Sequence, residues 1–137
     1  MGASDYCEEA ILNALFGKTS AFGTLSSRPT IYVALLTAAP SDTSTGSTIA
    51  DANYTGYARA ATTAATWNAW SAGQITNAVA IVFPEATGGN SVVTHFALVD
   101  ASSGGNVLFY GALNTSMTIS TGIAPQFKAG DLSVTAD

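Results

Sequence analysis

His95 is the only histidine in this 137-residue chain, and Cys7 is the only cysteine. To work as a general base, His95 needs a nucleophile and an orienting carboxylate converging on its ring. Asp100 is the carboxylate nearest in sequence, but along an extended segment residues 95 and 100 point to opposite faces. No G-x-S-x-G elbow occurs to supply a serine nucleophile. Zinc would have to gather His95, Cys7 and carboxylates that lie far apart in the chain, with no second histidine to help. Asp42 and Asp51 are candidate calcium ligands, yet "SDTSTGSTIADANYTG" lacks the D-x-D-x-D-G rhythm of an EF-hand loop. The Gly-Gly-Asn pairs at 88–90 and 104–106 precede strand-like runs, whereas phosphate cradles lead from a strand into a helix. These residues predict no enzyme, no metal and no cofactor. His95 reads as a structural or interface side chain, and Cys7 as a small core residue.

Composition points the same way. Only 9% of residues are charged, against about 25% in an ordinary globular chain. A surface built from Ser, Thr, Ala, Asn and Gly suits a protein packed against neighbours, because desolvating such groups costs less than desolvating ions. With a net charge of −5 and Lys18, Arg28, Arg59 and Lys128 scattered along it, the chain has no basic stripe to meet phosphates. A nucleic-acid partner is therefore not expected. The segment "MGASDYCEEA" has neither the basic and apolar runs of a secretory signal nor the serine or threonine of a myristoylation site. No stretch is apolar enough to predict a membrane-spanning helix. At this length one domain over residues 1–137 is expected, able to bury about 65–70% of its unfolded surface.

"SDYCEEAILNALFG" reads as a helix over about residues 4–16. Ser4 or Asp5 can cap it, Asp5 and Glu8 have capping-box spacing, Cys7, Ile11, Ala14 and Leu15 form its apolar stripe, and Gly17 can end it. Strands are expected from about residue 30 onward. "RPTIYVALLTAAP" is apolar on both faces and so belongs in the middle of a sheet. Residues 41–56 form a polar, turn-rich stretch that predicts a long exposed loop. "GYARAATT" and "ATWNAW" are candidate strands, and "QITNAVAIVFP" puts Ile75, Val79, Ile81 and Phe83 on one parity. "SVVTHFALVDA" and "NVLFYGALN" alternate most clearly, with "DASSGG" as their hairpin connection. "SMTIST" and "DLSVTAD" supply the last strands. One helix followed by seven or eight strands predicts a mainly β protein, an antiparallel β-sandwich or jelly roll.

Trp67 and Trp70, with Tyr54 and Tyr57 nearby in sequence, form the one aromatic group outside the strongest strands. It can serve as core, as a contact anchor or as a sugar-stacking platform. Without a converging carboxylate pair it does not suggest a glycosidase cleft. Tyr54, Tyr57, Trp67, Trp70 and His95 are the interface candidates, together with the 41–56 loop.

The ordered blocks "SDYCEEAILNALFG", "RPTIYVALLTAAP", "YTGYARAA", "IVFPEATGG", "VTHFALVDASSGGNVLFYGAL" and "PQFKAGDLSVT" resemble a family of small bacteriophage virion proteins labelled tail-fibre-like or head-decoration proteins. The resemblance implies a non-enzymatic, β-rich, multimeric particle component located in the virion. Fibre shafts need repeats or heptads, and this chain has neither, which favours a capsid decoration or cement protein. A tail-fibre or receptor-binding module is the alternative, and a carbohydrate-binding domain the next. The expected partners are the chain itself, as a closed homo-oligomer with trimers suited to three-fold shell positions, and the major capsid protein or another virion protein.

Overall fold

Ser4 starts the helix and Gly17 ends it. In the computed structural model, which describes residues 2–136, α1 runs Asp5–Leu15. The Ser4 hydroxyl accepts the N–H of Cys7 at 3.3 Å, satisfying one of the orphan donors of the first turn. At the other end Gly17 takes a φ of 75°. That left-handed turn lets the N–H groups of Gly17 and Lys18 reach back to the carbonyls of Ala14 and Asn13, at 3.3 and 2.7 Å.

The inward face of α1 differs from the expected stripe. Glu8, Ala10, Leu12, Asn13 and Ala14 are buried, whereas Ile11 is 43% exposed and Cys7 only half-buried. Leu12 and the following Phe16 lie one turn apart, fully buried, and fix the direction of the face. Asn13 is tolerated there because its side-chain oxygen accepts the backbone N–H of Trp70 at 2.9 Å.

Eight strands follow among the described residues: β1 Tyr32–Leu36, β2 Ala60–Ala61, β3 Ile75–Thr76, β4 Ile81–Val82, β5 Asn90–Val99, β6 Val107–Ser120, β7 Gln126–Phe127 and β8 Ser133–Val134. The protein is mainly β, with antiparallel sheets and one N-terminal helix, as its sequence implies. The chain divides into two compact units. One comprises Met1–Pro29, Thr62–Ile81 and Phe127–Asp137, and the other Thr30–Ala61 with Val82–Gln126.

The second unit is built on a four-stranded sheet in the order β2-β1-β5-β6. β1 lies inside it, paired with β5 from Tyr32↔Val99 to Leu36↔His95 and with β2 at Tyr32↔Ala61 and Val33↔Ala60. Val33, Ala34, Leu35 and Leu36 are fully buried, and the valine and the two leucines each contribute about 1.5–3 kcal/mol by leaving water. β5 and β6 form the longest ladder, with register shifts at Val93/His95 and Leu98/Val99. "SMTIST" is not a separate strand: its residues continue β6 past the first shift, because an irregularity absorbs the mismatch without ending the pairing.

Residues 41–56 depart from the exposed loop expected of them. Gly46, Ala52 and Tyr54 are buried. The N–H of Thr37 donates to Ala50 and that of Ala52 to Leu35, both at 2.8 Å, extending the ladder on the edge of β1 that β2 leaves free. Ile49 packs on the small cluster of Ala34, Leu36, Ala97 and Val99.

The first unit carries little regular strand, the β3–β8 pair being two residues long. "ATWNAW" is not a strand. Ala64–Thr66 is a single 3-10 turn, after which Trp67 and Asn77 face each other across a hairpin that closes at Ser71↔Gln74. The parity expected through "QITNAVAIVFP" breaks in its middle. Ile75, Ile81 and Phe83 are buried, but Val79 is 52% exposed, because Asn77 turns inward and stops the strand.

Candidate functional site

His95 sits in the middle of the β-sheet, level with Leu36 on β1 and Ala112 on β6. Its ring is half-buried and its Nδ1 shares a 2.8 Å hydrogen bond with the Thr94 hydroxyl. Asp100 is engaged elsewhere. Its two carboxylate oxygens accept the backbone N–H and the side-chain amide of Asn106, at 2.6 and 3.0 Å, across the 100–106 connection. Those bonds hold its carboxyl below the usual carboxylate range. The geometry therefore spends Asp100 on a turn and gives His95 a hydroxyl neighbour.

The aromatic group is divided between the two units. In one, Trp67 is 2% exposed; its ring meets Phe16 edge-on at 4.7 Å and its indole N–H donates to the Thr62 hydroxyl at 3.0 Å. Trp70 is half-buried, and its indole nitrogen is shielded from water without an acceptor, a cost of about 1–3 kcal/mol. In the other unit Tyr54 is 3% exposed and donates its hydroxyl to Pro84 at 2.8 Å, while its ring lies edge-on to Tyr57 at 5.6 Å. Tyr54 and Trp67 are thus core side chains with internally satisfied polar handles. A sugar platform built on all four rings loses these two. Tyr57, Trp70 and His95 keep partial exposure.

Arg59, read from sequence as one of four scattered cations, is the most heavily bonded side chain described. Its side chain is 4% exposed and its Nε lies 2.9 Å from Asp51. Nη1 donates to the carbonyls of Ala101 and Gly104 at 3.0 and 2.9 Å, and Nη2 to Gly46 at 2.8 Å and to Asp51 at 3.3 Å. An arginine has five N–H donors, and all five are used. The guanidinium ties the 41–56 segment to the 100–106 connection. At Gly46 a Cβ would come within 1.8 Å of the Gly104 carbonyl oxygen, so only glycine permits this approach. Tyr57 completes the centre, donating to Asp51 and accepting the N–H of Leu35, both at 3.2 Å. Burial, with the Asp51 charge beside it, pushes its phenol well above the ordinary tyrosine range. A lone arginine carries no spacing signal, but the glycine-rich turns at 46 and 104–105 mark the carbonyls it reaches.

Two other cations lie past the end of α1, and one of them bonds its last residue. Lys18 donates to the Ala64 carbonyl and Arg28 to that of Leu15, at 2.5 and 3.5 Å. They line a cavity of about 190 Å³ with Thr19 and Thr24, and sit at the negative end of the helix dipole. Among the described residues, no three of His, Cys, Asp and Glu gather as metal ligands. No helix is long and apolar enough to cross a membrane.

Some of the exposed apolar side chains are ones that sequence periodicity did not single out. Tyr6 on α1 and Phe22 are 64% and 58% exposed with their rings in edge contact at 5.9 Å. Ile11 and Leu25 of the same unit are also exposed. The available sequence signal was an apolar residue off the buried face of α1, and two others in a Gly/Ser/Thr-rich segment with no periodic partner.

The polar centre around Arg59 braces the protein's own backbone within a weakly charged, mainly β scaffold. The chain belongs to the family of the podophage GP4 fiber I protein gp80, whose model matches residues 2–135. It is a bacteriophage virion structural protein. No curated protein matches it.

Proposed function

We propose that this chain is a component of the fibre apparatus of a podophage, working by contact with other copies of itself and with another virion protein, without catalysis. The observation that carries this reading is a fibre-family match over nearly the whole chain. The exposed Tyr6–Phe22 pair and the low charge support it, since both lower the cost of burying surface in an assembly. Head decoration is the second reading, favoured by a fold with no repeat that could stack into a shaft.

Immunogold labelling and particle reconstruction separate the two. The expected result is label at the tail, with particles lacking the protein keeping intact heads and losing adsorption. Label distributed over the capsid, with fragile heads and normal adsorption, would establish decoration and overturn the fibre assignment.

A further inference from the structure

Lys18 and Arg28 are two of the four cations in a chain that carries nine Asp and Glu residues, yet neither has an acidic partner. Among the described residues, Arg59 with Asp51 is the one ion pair. Both side chains are half-buried and line the cavity of about 190 Å³ past the end of α1, and no carboxylate lines it with them.

Bonds to carbonyls do not exhaust these cations. Lys18 gives one of its three donors to Ala64, and Arg28 one of its five to Leu15, the latter at 3.5 Å. Satisfying the helix end thus leaves two donors on the ammonium and four on the guanidinium without a partner among the described residues. The hydroxyls of Thr19 and Thr24, which also line the cavity, are unengaged there too. The backbone makes room for the guanidinium: a Cβ on Gly17 would lie 3.0 Å from its Nε and 3.1 Å from its Cζ. Gly17, already left-handed at the end of the helix, lets the planar group lie against the turn.

We propose that this cavity binds a phosphate group, held between Lys18 and Arg28 with Thr19 and Thr24 as hydroxyl donors. A tetrahedral dianion matches two unpaired positive charges, and the planar fork of Arg28 can grip two of its oxygens at once. The cavity has the room, since one water takes about 30 Å³ and this volume equals several. Thr19, Thr24 and Leu25 are exposed at its rim, so entry is open. The net charge of −5 opposes approach weakly, because charges farther than about 8 Å are largely screened at physiological ionic strength. All the lining residues belong to the unit with α1, and the site is independent of where the protein sits in the particle.

The test titrates the purified full chain with inorganic phosphate, read by amide NMR, with sodium chloride holding the ionic strength constant. Saturable shifts are expected at Gly17, Lys18, Thr19, Thr24 and Arg28, and acetate, planar and singly charged, should bind more weakly. Arg28→Gln should raise the dissociation constant about tenfold or more by removing a charged fork. Thr24→Val should raise it about threefold by removing one neutral donor, with the circular dichroism of the fold retained. Tighter binding of a hexose phosphate than of inorganic phosphate supports the site and marks its ligand as a phosphorylated sugar; equal affinities support it as a site for the free anion. Absence of saturation, shifts that acetate reproduces at equal concentration, or an affinity that Arg28→Gln leaves unchanged each overturn it. If Arg28→Gln fails to fold, Thr24→Val and the wild-type shifts decide: an unchanged affinity, or shifts centred away from the cavity, sink the proposal.

Discussion

The two compact units solve one problem by different means. The unit with the four-stranded sheet satisfies its backbone through ladders, and β5 and β6 alone pair at nine positions. The unit with α1 has a two-rung strand pair and must bring side chains to its backbone. Asn77, fully buried, does most of this. Its amide donates to the carbonyls of Val79 and Lys128, both at 2.9 Å, and its side-chain oxygen accepts the N–H of Leu132 at 2.9 Å. Yet the sheet unit also keeps a buried polar centre, Arg59, placed where its ladder stops and two loops meet. The comparison teaches that buried polar residues in this protein stand in for missing strand. Every such group has to find partners, since an unpaired one costs more than the bond would have contributed.

The largest effect should come from Arg59→Met. It removes five donors and leaves Asp51 and three carbonyls, those of Gly46, Ala101 and Gly104, without them. A loss of about 2–4 kcal/mol in urea unfolding is expected, since the arginine is buried, its carboxylate partner only partly so, and three carbonyls lose their donors. Arg59→Lys should recover little, because three donors on a flexible stem cannot replace a planar fork of five. The same centre should loosen in alkali. The folded environment raises the Tyr57 pKa above its ordinary value, so the neutral phenol's contribution is complete below about pH 10. It is lost as pH rises towards the folded value, because the folded state holds the proton longer. A Tyr57→Phe variant whose stability falls just as steeply above that pH would remove Tyr57 from the account. A cost under 1 kcal/mol for Arg59→Met would mean that the ladders hold the loops unaided.

Asn77→Ala comes next. Removing three side-chain bonds from a fully buried site should cost about 2–4 kcal/mol by unsatisfying Val79, Lys128 and Leu132. Hydrogen exchange sharpens the contrast. Amides in residues 127–134 should exchange faster while those of β5 stay protected, because local ladders resist opening that side-chain bonds cannot. Equal loss in both places would show that the two units unfold as one.

The same contrast explains what the sequence disclosed. Where backbone ladders dominate, strands were readable: β1 falls within its bracketing prolines, and β5 and β6 fall on the two alternating runs, although burial alternates only at the start of β5. Local capping chemistry was readable too, from Ser4 to Gly17. Where side chains replace ladders, no period exists to read. Asn77 cut a strand that parity would have carried through Val79, and Asn13 took an inward place that hydrophobicity assigned to Ile11. The 41–56 segment looked free because polar composition does not distinguish water from Arg59 as the partner of a carbonyl. Among the interface candidates, Tyr54 and Trp67 went to the core because ring size favours burial once a hydroxyl or indole finds an acceptor. The Tyr6–Phe22 contact depends on a helix orientation fixed only by tertiary packing.

The smallest expected effect is a gain, and it lies in the side-chain-braced unit. The hairpin around Trp67 and Asn77 closes with Ser71 and Gln74 exchanging backbone bonds of 2.9 and 3.2 Å. Its two central residues, Ala72 and Gly73, have φ of 53° and 88°. Two positive values in a two-residue loop define the turn that twists with the strands it joins, and its first position favours Asn, Asp or Gly. Ala72 is the one described non-glycine residue with positive φ, and its Cβ is strained there by about 1–2 kcal/mol relative to the right-handed region. Asparagine tolerates this conformation better because its short polar side chain bonds locally. Ala72→Asn should therefore stabilise the protein by about 0.5–1 kcal/mol, read as a higher urea midpoint at unchanged slope. If the unit with α1 owes its order to side-chain bracing, improving this turn should also slow exchange at Asn68 and Ala78, whose amides close the hairpin's backbone bonds to Thr76 and Thr66. A neutral or destabilising Ala72→Asn would place the limiting weakness of this unit outside its hairpin.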